Sequence, residues 1–467
     1  MQIESAHFKR AAAEKLKDPQ LHQALTNLRG RMVAGRAQAV LELDNFEEIR
    51  EAAARVRDFA LAHLDYLLEE FERNASARGA QVHWAETGAE VNRLVLDIAQ
   101  RNQVRKIIKS KSMLGEETGL NAFLQGAGIE VRETDLGEYI IQEARETPSH
   151  IIAPAIHRTK EEISELFHEK HGLPRKTDIG EMTREARMIL RPHFLTADMG
   201  ITGANFMVAE TGTTMIVTNE GNGRMTATMP RVHVAIAGIE KVLPTLEDVA
   251  FILRLLTRSA TGQSISNYLT FTTGPKPADD AEGPEQFHII IVDAGRTGLL
   301  ASDLREALRC IRCGACMNHC PVYQNIGGHP YGWVYPGPIG SILTPAYIGI
   351  EKALDLPNAA TLCNQCGVVC PVKIPLPDLM RKLRDKQVER GLRPWPERLG
   401  LRLWAWVAVR PRLYAMLARW GARIGRWAGG KSGFIHRLPG GGWTRHRDMP
   451  APQGKTFRDL YAARRRD

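Results

Sequence analysis

At 467 residues and 43% hydrophobic content, the chain is long enough for two or three domains with sizeable buried cores, which excludes a disordered or fibrous protein. Its opening, MQIESAHFKRAAAEKLKD, is mixed and polar, and no run of about 18 apolar residues follows anywhere, so a cytoplasmic protein without a membrane span is expected. The net charge of +9 is unevenly held: 22 of the 62 Lys and Arg but only 6 of the 53 Asp and Glu lie from Arg381 onward, leaving +16 there and −7 in residues 1–380.

Residues 1–78 are predicted to form a helical N-terminal arm, because Phe46, Ile49, Val56, Phe59, Ala60, Leu64, Leu67 and Leu68 recur at helical spacing between charges and make a packing face. From 79 to 296, short apolar runs alternate with helical segments. KIIKS (106–110), IEVRET (129–134) and SHIIAPAI (149–156) are predicted as buried strands, and FMVAE, TTMIVTNE, VHVAIAGI, NYLTFTT and FHIIIVDAG continue the series. Such alternation specifies an α/β domain with a largely parallel sheet. In residues 297–380 the strand signal stops, and helical pieces flank the Gly/Pro-rich stretch GGHPYGWVYPGPIG. Residues 381–467 form a basic, Trp/Arg-rich segment, helical and then irregular, with PGGGW near its end. No tandem repeat runs through the chain, apart from a cysteine motif that occurs in two forms.

All seven cysteines lie between Cys310 and Cys370. Disulfides that staple a fold are spread through it, and an odd count leaves one thiol over, so clustered thiolates indicate a metal site in a reducing compartment. CIRCGACMNHCP sets Cys310, Cys313, Cys316 and Cys320 in C-x2-C-x2-C-x3-C-P spacing. This is the bacterial ferredoxin run, in which three thiolates hold one cubane and the fourth reaches to another cluster. A short loop wraps three corners, and Pro321 helps turn the chain away by fixing its own φ. CNQCGVVCP supplies Cys363, Cys366 and Cys370 before Pro371, with Ala360 where a first cysteine would stand. Crossed ligation then makes Cys310, Cys313, Cys316 and Cys370 a complete set for a 4Fe-4S cluster. Cys320, Cys363 and Cys366 remain for a second. Three thiolates hold either a 3Fe-4S cluster or a 4Fe-4S cluster whose last iron takes water, a side chain or a substrate, and 4Fe-4S is favoured. Tetrahedral zinc also uses C-x2-C pairs, but it needs only four ligands, and two Cys-Pro endings are specific to the ferredoxin pattern.

With these motifs, and with KSKSMLGEETGLNAFL, ETDLGEYIIQ, HIIAPAIH and GITGANFMVAETGTTMIVTNEGNGR, the chain resembles the lactate utilization protein B family over nearly its whole length. The resemblance implies that the α/β part is a LUD domain, similar in fold to the sugar-phosphate isomerase and CoA-transferase group. It implies an all-α, ferredoxin-like two-cluster domain after it, similar to that of succinate dehydrogenase iron–sulfur subunits, where seven cysteines also serve two clusters, one of them 3Fe-4S. It further implies electron transfer during oxidation of L-lactate to pyruvate, alongside companion lactate utilization proteins of the A and C types.

Other candidates are less specific. In AETGTTMIVTNEGNGR (209–224), Gly212, Gly221 and Gly223 are candidates for close backbone approach to a ligand phosphate. Glu220-Gly221-Asn222 is similar to the catalytic glutamate loop of CoA transferases, whose carboxylate attacks a thioester, but three residues equally make a structural turn. Lys109, Lys111, Thr211 and Asn219 are candidates to line a pocket at strand ends. His150, His157 and His168 lack metal spacing and are expected to be ordinary hydrogen-bonded or surface residues, while Tyr331, Trp333 and Tyr335 are expected to pack around the clusters. No G-x-G-x-x-G follows a strand, so no two-electron cofactor site is legible.

Three functions compete on this basis: an electron-transfer subunit, which leads; an enzyme acting on a CoA- or nucleotide-linked substrate with the clusters as internal relay; and a scaffold with structural clusters. Trp395, Trp404, Trp406, Trp420 and Trp427 stand among Arg398, Arg402, Arg410, Arg412, Arg419, Arg423 and Arg426, with Pro411 as an interruption. The pattern suits an interfacial helix that docks a partner or an anionic membrane surface, against the alternative of a helix packed on its own domain. Nucleic acid is not expected, since no recognition motif accompanies the charge.

Overall fold

The computed structural model describes residues 3–438, 444 and 447–464, so the PGGGW segment lies outside the described residues. The chain divides into two compact units, Met1–Gln387 and Val388–Asp467.

Among the described residues the first unit holds ten strands, with helices between most of them but none between β4, β5 and β6 or between β9 and β10: β1 Gln81–Ala85, β2 Lys106–Lys109, β3 Glu130–Glu133, β4 Met199–Gly203, β5 Phe206–Val208, β6 Thr213–Thr218, β7 Val232–Gly238, β8 Val242–Leu243, β9 Tyr268–Thr272 and β10 Gln286–Val292. Six of them form a parallel sheet in the order β1-β10-β7-β4-β2-β3. The central strands β7 and β10 read as continuous apolar runs because both faces are covered. Val234 and Ile236 of β7 meet Val91, Val95 and Ile98 of the helix Gly88–Arg101. The alternate residues, Ala235 and Ala237, meet Leu67, Leu68 and Phe71 of the helix Leu64–Ala77. The small alanines belong to the face where the N-terminal helix lies. Thr87 and Glu90 start the helix Gly88–Arg101 with a reciprocal capping box, which satisfies two otherwise orphaned backbone N–H groups.

The other four strands leave the parallel sheet for a smaller one, β8-β5-β6-β9, in which β5 with β6 and β6 with β9 are antiparallel. FMVAE, TTMIVTNE and NYLTFTT are therefore strands, but of a second layer.

Two expectations need correction. SHIIAPAI forms bends and turns, not a buried strand. His150 Nδ1 accepts the N–H groups of Ile152 and Ala153, and Ser149 N–H donates to the Pro154 carbonyl, so local partners take the groups that a ladder would use. In the helix Phe46–Ala62, Phe46, Ile49 and Ala60 are buried as expected, but Phe59 is 50% exposed and Arg57 is fully buried in the inward-facing stripe.

The cysteine segment is built from short helices, among them Ala315–Asn318, Tyr323–Ile326, Gly337–Ile348 and Gln365–Val369, followed by Leu376–Glu389. The second unit holds the helices Trp395–Ala408, Pro411–Gly429 and Phe457–Arg464 and a two-stranded antiparallel ladder, Phe434–Ile435 with Met449–Pro450. Pro411 breaks the first of these helices from the second and sits at the latter's first turn, where its missing N–H costs nothing. Among the described residues no helix is long and apolar enough to cross a membrane.

Candidate metal centre

The first cysteine motif winds tightly because two of its residues take left-handed backbone: Arg312 at φ 61° and Gly314 at φ 74°. A Cβ on Gly314 would stand 3.3 Å from the His150 ring, so glycine serves both the turn and the close contact. Cys316 then lies on the helix Ala315–Asn318. Cys370 ends the helix Gln365–Val369, and its side chain faces the first motif.

Cys310, Cys313, Cys316 and Cys370 line one small cavity, whose remaining wall is mostly apolar, including Ile339, Val372, Ile374 and Leu376. Backbone N–H groups point at two of the sulfurs: Arg312 N–H to Cys310 Sγ and Ile374 N–H to Cys370 Sγ, each at 3.4 Å. Burial pushes the Cys313 and Cys316 thiols well up, and the neighbouring cysteines push them further. Thiolates so placed need cationic metal to exist together. Among the described residues no three His, Cys, Asp or Glu side chains are grouped to hold a single metal ion. The four thiols instead ring a cavity, as the corners of a cubane require, so the residues present fit a 4Fe-4S cluster.

Cys320, Cys363 and Cys366 make a second group. Burial raises Cys366 to about 12, with Cys320 and Cys363 adding to the effect, while Cys363 itself is exposed and held down by the Thr361 hydroxyl and the Gln365 N–H. At the position of the absent cysteine, the Ala360 carbonyl accepts from Arg384 Nη2 at 3.0 Å.

Arginines of the N-terminal helices, which periodicity presents only as a packing arm, reach the chain beside the ligands. Arg50 donates to the carbonyls of Cys370 (2.7 Å) and Gly367 (3.0 Å), and Arg36 to that of Val369 (3.0 Å). Arg57 donates to the carbonyls of Leu308 (2.9 Å), Arg309 (3.4 Å), Val242 (3.2 Å) and Glu240. From the α/β part, Lys241 Nζ donates to the Cys310 carbonyl at 3.0 Å. The available signal was the spacing of Arg50 and Arg57, two turns apart on the face of Phe46, Ile49 and Ala60.

A much larger cavity, about 840 Å³, opens at the C-terminal ends of the parallel strands. Lys111, Asn219, Glu220 and Asn222 line it, as does Tyr335 of the cysteine segment. Lys111 donates to the Ile152 carbonyl at 2.6 Å, and Glu220 is raised first by burial and then by Asp135. Arg296 bridges Glu240 (2.8 Å) and Glu117 (3.0 Å), and Tyr335 donates to Glu117 at 2.6 Å. Ile151, Ile311 and Arg312 line both this cavity and the four-cysteine one.

Several predicted residues stand elsewhere. Lys109 is buried against Glu133 (2.5 Å), and Thr211 donates to Thr213, so neither lines the cavity. Gly212, at φ 66°, packs where a Cβ would strike Ala75 N at 2.2 Å; its freedom serves contact with a helix. Gly223 abuts Thr218, and Gly221 has ordinary backbone with the Met225 methyl 3.8 Å from where a Cβ would stand; none of the three glycines lines the large cavity. His150 bonds Asn318 (2.8 Å), His157 bonds Glu146 (2.8 Å) and His168 bonds the Leu173 carbonyl (2.6 Å). Tyr331 packs edge-on to Phe8, and burial raises its hydroxyl with Cys320 and Cys316 close enough to add to the effect, so it does stand by the cysteines; Trp333 packs edge-on to Tyr335.

Comparison with known proteins gives three family matches: LUD domain over residues 68–292, 4Fe-4S dicluster domain over 306–374, and lactate utilisation protein B, C-terminal, over 382–466. The dicluster match assigns iron–sulfur clusters to the cysteine segment. An "uncharacterized electron transport protein YkgF" from Escherichia coli K12 is 42% identical over 456 residues, 97% of this chain and 96% of its own. Lactate utilization protein B of Bacillus licheniformis is 41% identical over 471 residues (100% and 98%), and that of Bacillus subtilis 40% over 468 (99% and 98%). A solved DUF162 family protein from Deinococcus radiodurans, 16% identical, covers 49% of this chain and 98% of its own with a TM-score of 0.28.

Proposed function

Because the chain belongs to the lactate utilization protein B family and is an iron–sulfur protein, we propose that it is the electron-transfer component of a multi-protein system oxidising L-lactate to pyruvate. The observation that carries the reading is that Cys370, from the second motif, lines the same cavity as Cys310, Cys313 and Cys316. In this reading those four hold a 4Fe-4S cluster, and Cys320, Cys363 and Cys366 hold a second cluster, 4Fe-4S in preference to 3Fe-4S.

When bound, the clusters supply one-electron acceptors. The chain's own residues shape how they are reached. Ile339, Val372, Ile374 and Leu376 keep water from the first group, and the arginine-held carbonyls fix the loop on either side of it. Cys363 is exposed, so the second group is the one that meets an external donor or acceptor. Lactate, however, gives up two electrons at C2, which asks for a two-electron centre first. Companion proteins of the A and C types supply the rest of the path. The system works in the cytoplasm, with the basic C-terminal segment as its contact to an anionic membrane surface.

The test mixes the anaerobic, cluster-loaded chain with L-lactate and an artificial acceptor, with and without its copurifying proteins. Pyruvate is expected only with them. Robust pyruvate from the isolated chain would make it the dehydrogenase itself, and none even with companions would remove lactate as the donor. The large cavity favours one second reading, in which the LUD domain acts on a CoA- or nucleotide-linked substrate and the clusters are its relay.

A further inference from the structure

The electron-transfer reading uses the clusters and leaves the 840 Å³ cavity without a role. That volume lies high in the range of about 300–1,000 Å³ typical of pockets that enclose a drug- or cofactor-sized ligand, and far exceeds what a three-carbon acid fills. Its position, outside the C-terminal ends of parallel strands, is where open α/β sheets bind ligands.

Two buried side-chain atoms on its wall have no hydrogen-bond partner: Arg312 Nη1, a donor, and Asn222 Oδ1, an acceptor. Asn222 is 7% exposed. Leaving such groups unpaired is unfavourable, and a ligand that offers an acceptor at Arg312 and a donor at Asn222 would satisfy both. The cluster-side wall is also cationic and aromatic. Lys241 and Arg312 stand there, and the Arg312 guanidinium lies 4.5 Å from the centre of the Tyr335 ring. Glu240 is shared between Arg296 at 2.8 Å and Arg312 at 3.6 Å, which leaves Arg312 Nη1 free, while Asp135 and Glu220 supply carboxylates elsewhere on the lining. Ile151, Ile311 and Arg312 belong both to this wall and to that of the four-cysteine cavity.

A ligand that fits is large, planar at the cluster end, edged with both carbonyl and N–H groups, and able to bear negative charge beside an arginine. The geometry points to a flavin nucleotide held in this cavity, with a ring carbonyl on Arg312 and a donor group on Asn222. Bound there, the flavin would take an electron pair handed over by the companion proteins and pass it on singly to the clusters, so lactate oxidation itself stays with the companions.

Calorimetric titration of the full, cluster-loaded, oxidised chain with flavin mononucleotide tests this without lactate or companions, so failure here leaves the relay reading standing. One-to-one binding is expected, weakened at least about tenfold, the equivalent of one lost hydrogen bond, in both Arg312→Gln and Asn222→Leu. Binding should also alter the resonance of the reduced cluster held by Cys310. If Arg312→Gln loses iron, Asn222→Leu, remote from the cysteines in sequence, keeps the test. Three results overturn the assignment: no saturation up to about 1 mM in the parent chain, affinity unchanged in Asn222→Leu, or saturation by L-lactate with the same dependence on Arg312 and Asn222 but none by the flavin.

Discussion

Arg57 is fully buried, and its guanidinium donates to four backbone carbonyls from two stretches of chain, 240–242 and 308–309. Burial pulls it down to about 10, so it stays charged at neutral pH. Stripped of the guanidinium, those carbonyls have no water to turn to. Arg57→Met is therefore expected to cost about 3 kcal/mol of unfolding free energy, read from denaturant titration of the cluster-loaded chain. Because Leu308 and Arg309 immediately precede Cys310, the variant should also release iron faster on dilution. Arg57→Lys keeps the charge but offers at most three donors, and an intermediate loss is expected. An Arg57→Met variant as stable and iron-retentive as the parent would mean that the helix holds the motif through its apolar contacts alone.

At the scale of elements, the helix Gln365–Val369 carries Cys366 toward one group of thiols and ends at Cys370 in the other. If the two proposed 4Fe-4S clusters are held as the spacing suggests, Cys370→Ser should damage the one assigned to Cys310, Cys313 and Cys316 and spare the one assigned to Cys363 and Cys366, with iron falling from about eight per chain toward four. Loss confined to the Cys363 cluster would overturn the crossed assignment. The grouping of Cys370 with Cys310, Cys313 and Cys316 around one cavity was readable from spacing, as were the strands of the sheet centre, whose apolar runs leave little choice of environment. The segment 149–156 was not. Its apolar residues imitate a strand, and only the choice by His150 of its own backbone as partner, invisible to periodicity, makes it a loop against the cysteine segment. Nor could periodicity distinguish Phe59 from Arg57 in the N-terminal helix: the inward position goes to whichever side chain the opposite surface can satisfy, and that surface is carbonyl oxygen. The large cavity was partly legible through Lys111 and Asn219, whereas Arg312 and Tyr335 arrive from the distant cysteine segment and only folding brings them to it.

Across the whole molecule, charge and apolar exposure coincide in the second compact unit. The sequence from Arg381 carries +16 against −7 before it. In the helix Pro411–Gly429, Met416, Trp420, Ile424 and Trp427 follow helical spacing along one face, yet they are 49%, 58%, 58% and 83% exposed. Arg412, Arg419, Arg423 and Arg426 lie on the flank of that stripe. In the preceding helix no residue is buried, and Trp395, Trp404 and Trp406 are each more than half exposed. An apolar stripe left open to water is unfavourable by about 25 cal/mol for each Å² that a partner could cover. A flanking row of arginines says what that partner carries, since indole at the headgroup level and guanidinium on phosphate are the contacts of an interfacial helix. The full chain should therefore float with phosphatidylglycerol vesicles at low salt, float less as salt screens the arginines, and lose the interaction in a Trp420→Ser, Trp427→Ser double variant. A chain that stays at the bottom of the gradient with anionic vesicles at low salt rules out the membrane. If it stays there but co-sediments with a companion protein and releases it on the same double substitution, the stripe is a protein interface instead.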